Sequence, residues 1–182
     1  SSRDVSLITI TGGTAAADSL AKIAGAKPFV GELGGNSANI VCSDADVGDA
    51  ANRIVPSAFE ASGQQCISAQ RIIVERAVLK NFLEHFKSAT MKLSVGDPSL
   101  ETTDVGTMIN LSAAERVEKM VTDSVKSGAE EIIPFKREGA VVYPTILMTD
   151  NLDVEVVAEE IFGPVAVVIP SENLNDAISI AN

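Results

Sequence analysis

Polar and apolar positions alternate along residues 5–11, Val-Ser-Leu-Ile-Thr-Ile-Thr, with the period of two and the β-branched content of a strand. Gly12, Gly13 and Thr14 interrupt that run. Residues 15–24 then set Leu20, Ile23 and Ala24 on one side of a helix, closed by Gly25 and kept from continuing by Pro28. The alternation resumes with a brief apolar run at Phe29 and Val30, two glycines at Gly34 and Gly35, and a buried-strand pattern over 39–42. Cys42 falls inside that run and is expected in the core. Asp46 precedes a helical stretch over 47–62, which Pro56 is expected to kink or break. Residues 71–74 read as a strand, and 78–93 as an amphipathic helix with Val78, Leu79, Phe82, Leu83 and Phe86 along one stripe. His85 lies off that stripe and is expected in solvent. Ser112, with Glu115 three residues on, is expected to cap a helix that Gly128 ends. Strands are expected at 132–133, 143–147 and 166–169, and a helix from 174. Strands alternating with helices predict an α/β fold, an open, mostly parallel sheet with helices on both faces.

Composition narrows the functions available. The 182 residues carry a net charge of −11 and 4% aromatics, with scattered Lys and Arg, which disfavours nucleic acid as a partner. No run of 18 apolar residues suggests a membrane span. Residues Ser1-Ser2-Arg3-Asp4 carry no hydrophobic signal core, and two cysteines make no disulfide framework, so a reducing, cytoplasmic location is expected. A single histidine without metal-ligand spacing predicts no metal site.

Three stretches are candidates for chemistry. Gly63-Gln64-Gln65-Cys66 places a thiol after a glycine, either as a nucleophile or as an apolar filler. Gly12-Gly13 between a strand and a helix is either a phosphate cradle at a helix N-terminus or an ordinary tight turn. Glu32, beside flexible glycines, could serve as a base or bond to backbone N–H groups, and Glu159 and Glu160 alone read as a solvated loop.

Taken in order, Glu32-Leu33-Gly34-Gly35, Gly63-Gln64-Gln65-Cys66 and Glu160-Ile161-Phe162-Gly163-Pro164 resemble the aldehyde dehydrogenase superfamily, as does the separation of 34 positions between Glu32 and Cys66. Ile10-Thr11-Gly12-Gly13-Thr14, Asp44-Ala45-Asp46, Gly96-Asp97-Pro98 and Tyr143-Pro144-Thr145 add to it. The resemblance implies that residues 1–27 are the C-terminal remnant of a dinucleotide-binding domain. Residues 28–182 would be a catalytic domain truncated at its C-terminus, and the whole an excerpt of a longer protein. It implies oxidation of a small-molecule aldehyde with NAD or NADP. Cys66 would form a thiohemiacetal and then a thioester, its own N–H facing the oxyanion, with Glu32 as general base for hydrolysis. Glu160 would accept from the nicotinamide-ribose hydroxyls, Phe162 would pack near the nicotinamide, and Gly12, Gly13 and Leu33 would contact the cofactor. Homo-oligomers, dimers or tetramers, are usual in the family. Two departures stand out: Gly12-Gly13 replaces a common Gly-Ser, and Asn36 stands where many members carry lysine. A CoA-acylating semialdehyde dehydrogenase and a non-catalytic structural or oligomerising module are the alternatives. Glu32 speaks for hydrolysis over transfer to CoA. The chain alone is expected to be inactive.

Overall fold

The computed structural model describes residues 2–182; Ser1, part of the N-terminal stretch considered above, lies outside the described residues. The chain divides into two compact units, Ser1–Gly35 and Asn36–Asn182. In the first, strand β1 (Ile8–Thr11) runs into helix α1 (Thr14–Ala24) and returns as strand β2 (Phe29–Glu32). β2 lies parallel to β1, with Ile8 opposite Phe29 and Thr11 opposite Glu32. A parallel pair requires such a crossover, because the chain must travel back the length of a strand before pairing again. The Gly12 N–H donates to the Glu32 carbonyl at 3.0 Å and extends the ladder. This pairing keeps residues 28–35 with the first unit, so the division falls after Gly35 and not after residue 27. Within that unit α1 buries Ala17 and Ala24, while Leu7, Ile23 and Val30 are exposed.

The second unit is built on a five-stranded sheet. Its strands are β3 (Ala38–Val41), β4 (Arg71–Glu75), β5 (Glu130–Ile133), β8 (Thr145–Met148) and β9 (Val165–Ser171), in the order β3-β4-β9-β8-β5. Four strands run parallel, and β5 joins antiparallel at the edge. Between β5 and β8 the chain forms a small hairpin of β6 (Arg137–Glu138) and β7 (Val141–Val142). Alternation along the strands feeds two cores, as pleating requires. Ile72, Val74, Ala166 and Val168 pack with helices α2 (Val47–Phe59) and α3 (Arg76–Thr90). Ile73, Leu147, Val165, Val167 and Ile169 pack with α4 (Leu111–Lys126), α5 (Glu155–Ala158) and α6 (Leu174–Ala181). With both faces covered, all seven residues of β9 are buried. The expected α/β architecture, a mostly parallel sheet with helices on both faces, is the one observed.

Three local expectations are corrected. Asn110, not Ser112, caps α4: its extended backbone lets Oδ1 accept the Ala113 N–H at 2.8 Å. Ser112 is already in the first turn, where its backbone cannot take the extended conformation a cap needs. Pro56 does not break α2, because the helix continues to Phe59 with the proline on an exposed position. Cys42 follows the last residue of β3 and is half-buried instead of lying in the core. His85 is exposed, as expected.

Candidate active site

After α2 the backbone turns through a 3-10 segment (Glu60–Gly63) in which Ala61 (φ 50°, ψ 29°) and Ser62 (φ 57°, ψ 33°) are left-handed. Gly63 follows at φ 66°. Left-handed backbone costs an L-residue about 1–2 kcal/mol, so this turn must be held by its surroundings. Gly63 supplies one hold. A Cβ there would overlap the Gly163 carbonyl oxygen and stand 2.5 Å from its carbon and 2.9 Å from Pro164 N, so only glycine lets the two backbones touch. Gln64 supplies another: its Oε1 accepts the Ile109 N–H at 2.8 Å, and its Nε2 donates to the Ala61 carbonyl at 3.2 Å. Beyond this anchored turn Cys66 is exposed with a free thiol. Ile67 beside it is 80% exposed.

The second loop, residues 160–164, leads into β9. Phe162 is left-handed at φ 49° and partly exposed, and Glu160 is half-buried. Arg116 on α4 donates from Nη2 to the Ile161 carbonyl at 2.6 Å. Gly163 is packed tightly enough that a Cβ would stand 2.7 Å from Val117 Cγ2. The two loops meet because β4 and β9 are neighbours in register, Arg71 opposite Val167. Each loop immediately precedes its strand, so both lie at the amino ends of the parallel strands. Ligands of open α/β sheets usually sit beyond the carboxyl ends; here the segments that carry Cys66, Glu160 and Phe162 precede their strands, at the opposite end.

The remaining predicted residues belong to the first unit. Gly12, Gly13 and Glu32 are exposed there, and Leu33 is half-buried. Gly12 and Glu32 are joined by the backbone hydrogen bond that extends the β1–β2 ladder. Gly13 is the N-cap of α1, has no side-chain cap bond and no acidic residue in the following turn, and would present a Cβ to open space. Uncapped N–H groups, partial positive charge and room at a helix start fit a phosphate group. Asn36, the departure from lysine, opens the second unit: its carbonyl accepts from Arg71 Nη2 at 2.6 Å and its Nδ2 donates to the Val157 carbonyl at 2.8 Å. It therefore ties the start of β3 to β4 and α5.

Sequence reading missed Gln64, Gln70 and Arg116. Their partners lie 45, 91 and 45 positions away, respectively, and no local pattern points to such pairs. A groove of about 510 Å³, lined by Leu79, Leu83, Ile132 and Met148 among others, contains none of the predicted site residues. Among the described residues there is no group of three or more His, Cys, Asp or Glu able to hold a metal ion, and no helix is long and apolar enough to cross a membrane.

A mostly parallel sheet with helices on both faces, and an exposed thiol that follows a glycine-anchored turn, define the class as an α/β protein. The chain belongs to the aldehyde dehydrogenase family, which it matches over residues 1–182. It is 41% identical over 180 residues to the 3-sulfolactaldehyde dehydrogenase of Priestia aryabhattai, covering 99% of this chain and 38% of that protein. The glyceraldehyde-3-phosphate dehydrogenase of Methanocaldococcus jannaschii, solved with NADP, superposes with a TM-score of 0.94 at 37% identity, covering 99% of this chain and 39% of the other. A cysteine-to-alanine variant of aldehyde dehydrogenase C from Pseudomonas syringae, solved with NAD+ and octanal, gives 0.92 at 32% identity, covering 98% and 39%. The chain thus spans about two fifths of the length of these relatives.

Proposed function

We propose that this chain is the thiol-bearing part of an enzyme that oxidises an aldehyde to a carboxylic acid with NAD or NADP. The observation that carries the reading is the contact of Gly63 on Gly163, which brings the turn leading to the exposed Cys66 against the loop that carries Glu160 and Phe162. The Cys66 thiol gives its proton to solvent as Sγ adds to the carbonyl carbon, and the carbonyl electron pair moves onto oxygen. No described backbone carbonyl accepts the Cys66 N–H, which is thus free to donate to that oxyanion. NAD or NADP, when bound, would supply the hydride acceptor for oxidation of the thiohemiacetal to a thioester. Glu160 and Phe162 would hold the nicotinamide end of the cofactor; Gly12, Gly13 and Leu33 would contact it elsewhere, and the uncapped start of α1 suits its pyrophosphate. Glu32 takes a proton from the water that hydrolyses the thioester, returning Cys66 as a thiol. A carboxylate in that role favours hydrolysis over acyl transfer to CoA.

Residues 1–27 are read as the end of a dinucleotide-binding domain and residues 28–182 as catalytic. Supporting this, the two strands and one helix of the first unit are fewer elements than a sheet needs for independent stability. The isolated chain is accordingly expected to turn over no aldehyde.

The test follows reduced-nicotinamide absorbance in the full-length protein that carries this chain, with a panel of aldehydes, NAD or NADP, with and without CoA. Turnover without CoA that is abolished by C66S, with E32Q mainly slowing thioester hydrolysis, is expected. Turnover only with CoA removes the role given to Glu32, and full activity of C66S removes the nucleophile. No turnover with any aldehyde leaves the non-catalytic module as the reading.

A further inference from the structure

Gln70 closes the 160–164 loop from both ends. Its side-chain Oε1 accepts the Ile161 N–H at 2.8 Å, and its backbone carbonyl accepts the Val167 N–H at 2.8 Å. Gln70 is 2% exposed and Ile161 fully buried, so this amide acceptor is shielded from water. It is also four positions after Cys66 and directly before β4, which makes it part of the segment that carries the thiol. Within the span it closes, Phe162 holds its left-handed backbone, and the Ile161 carbonyl is held from the other side by Arg116 Nη2 at 2.6 Å. The two peptide groups flanking the Ile161 Cα are therefore each fixed, the Glu160–Ile161 peptide at its N–H and the Ile161–Phe162 peptide at its carbonyl.

Resting on the reading of Glu160 and Phe162 above, we infer that Gln70 is a positioning residue that locks the cofactor-holding loop in register with the nucleophile segment. Without the Oε1 acceptor, a buried N–H is left unpaired. The Glu160–Ile161 peptide then rotates to find a partner, because an unmade buried bond costs more than a made one contributes. Rotation at Ile161 releases Phe162 from its left-handed conformation and displaces Glu160 with it. Cys66 has a further hold outside this loop, Gln64 on Ile109, so its own reactivity depends on Gln70 far less than the cofactor-holding loop does.

The test uses the full-length protein with Q70L, which keeps bulk but removes the acceptor, and Q70E, which keeps an acceptor oxygen. Two quantities are read: the dissociation constant for NAD or NADP, and the cofactor-free rate of Cys66 acylation by p-nitrophenyl acetate. Q70L is expected to weaken cofactor binding about tenfold, the scale of one net hydrogen bond, and to leave acylation within about twofold, with Q70E recovering most of the affinity. Equal loss in both readouts overturns the inference, since a merely structural role moves both, and so does unchanged cofactor affinity. Should Q70L not fold, Q70M, of similar length and without an oxygen acceptor, is held to the same criteria. E160Q is measured in parallel. If it weakens cofactor binding and Q70L does not, Gln70 is not the positioning residue; if E160Q has no effect, the reading of the loop itself fails, and this inference with it.

Discussion

Replacing Gly63 with alanine tests the contact that joins the two loops. The new Cβ would overlap the Gly163 carbonyl oxygen and lie 2.5 Å from its carbon and 2.9 Å from Pro164 N. These are backbone atoms, so no rotamer change relieves the overlap, and one of the two loops must move. Two costs add. Holding alanine at φ 66° costs about 1–2 kcal/mol, and forcing the overpacked contact costs about 1–3 kcal/mol, giving about 2–5 kcal/mol in all. Gly163 provides the control. A Cβ there meets Val117 Cγ2 at 2.7 Å, a side-chain atom, and no left-handed φ is involved. G163A is therefore expected to cost less, about 1–3 kcal/mol, and adding V117A is expected to offset part of that cost. Urea unfolding of the chain and its variants reads all three values. A cost below about 1 kcal/mol for G63A, or a cost for G163A as large as for G63A, would refute the reasoning that backbone contact and left-handed geometry make Gly63 irreplaceable.

The correction at α4 predicts that N110A loses about 1 kcal/mol in urea unfolding while S112A changes stability by less than about 0.5 kcal/mol, because only Asn110 satisfies an orphan N–H; the opposite order would restore Ser112 as the cap. Asp104 accepts the Ser94 N–H at 2.8 Å and the Ser94 hydroxyl, and these bonds hold its carboxyl below the usual carboxylate range. A depressed folded-state value means its contribution is present above the unfolded value, about 3.9, and is lost as pH falls through the folded one. D104N should thus be less stable than the parent at pH 7, with the gap in urea midpoint narrowing below about pH 3.9; a gap independent of pH rules this out.

Much of the local structure was legible because it is written in short-range periodicity. Residues 5–11 and 71–74 read as strands and contain β1 and most of β4, and the stripe of Phe82 and Phe86 marked the buried face of α3. Boundaries were less legible where two residues could do one job. Asn110 and Ser112 are both good cap formers, and only the backbone conformation of the folded chain separates them. Pro56 carried a breaking signal that a helix with an exposed face at that position tolerated, and the left-handed turn at Ala61 and Ser62 had no residue signal, since alanine and serine do not favour that geometry.

By itself the sequence determined the alternation that makes an α/β sheet buried on both faces, and the ordered motifs around Glu32, Cys66 and Glu160 that point to aldehyde chemistry. Only the tertiary structure decided that β4 and β9 are neighbours, and hence that the loops before them share the amino edge of the sheet. It alone revealed Gln70 reaching the Ile161 N–H across 91 positions and Arg116 reaching the carbonyl of the same residue from α4. The reason is physical: a period of two or 3.6 records which face of an element is buried, a property of neighbouring residues. Which elements become neighbours is settled by packing and hydrogen bonding of the whole chain, and single residues such as Gly63 and Gln70 acquire their roles only once those neighbours are in place.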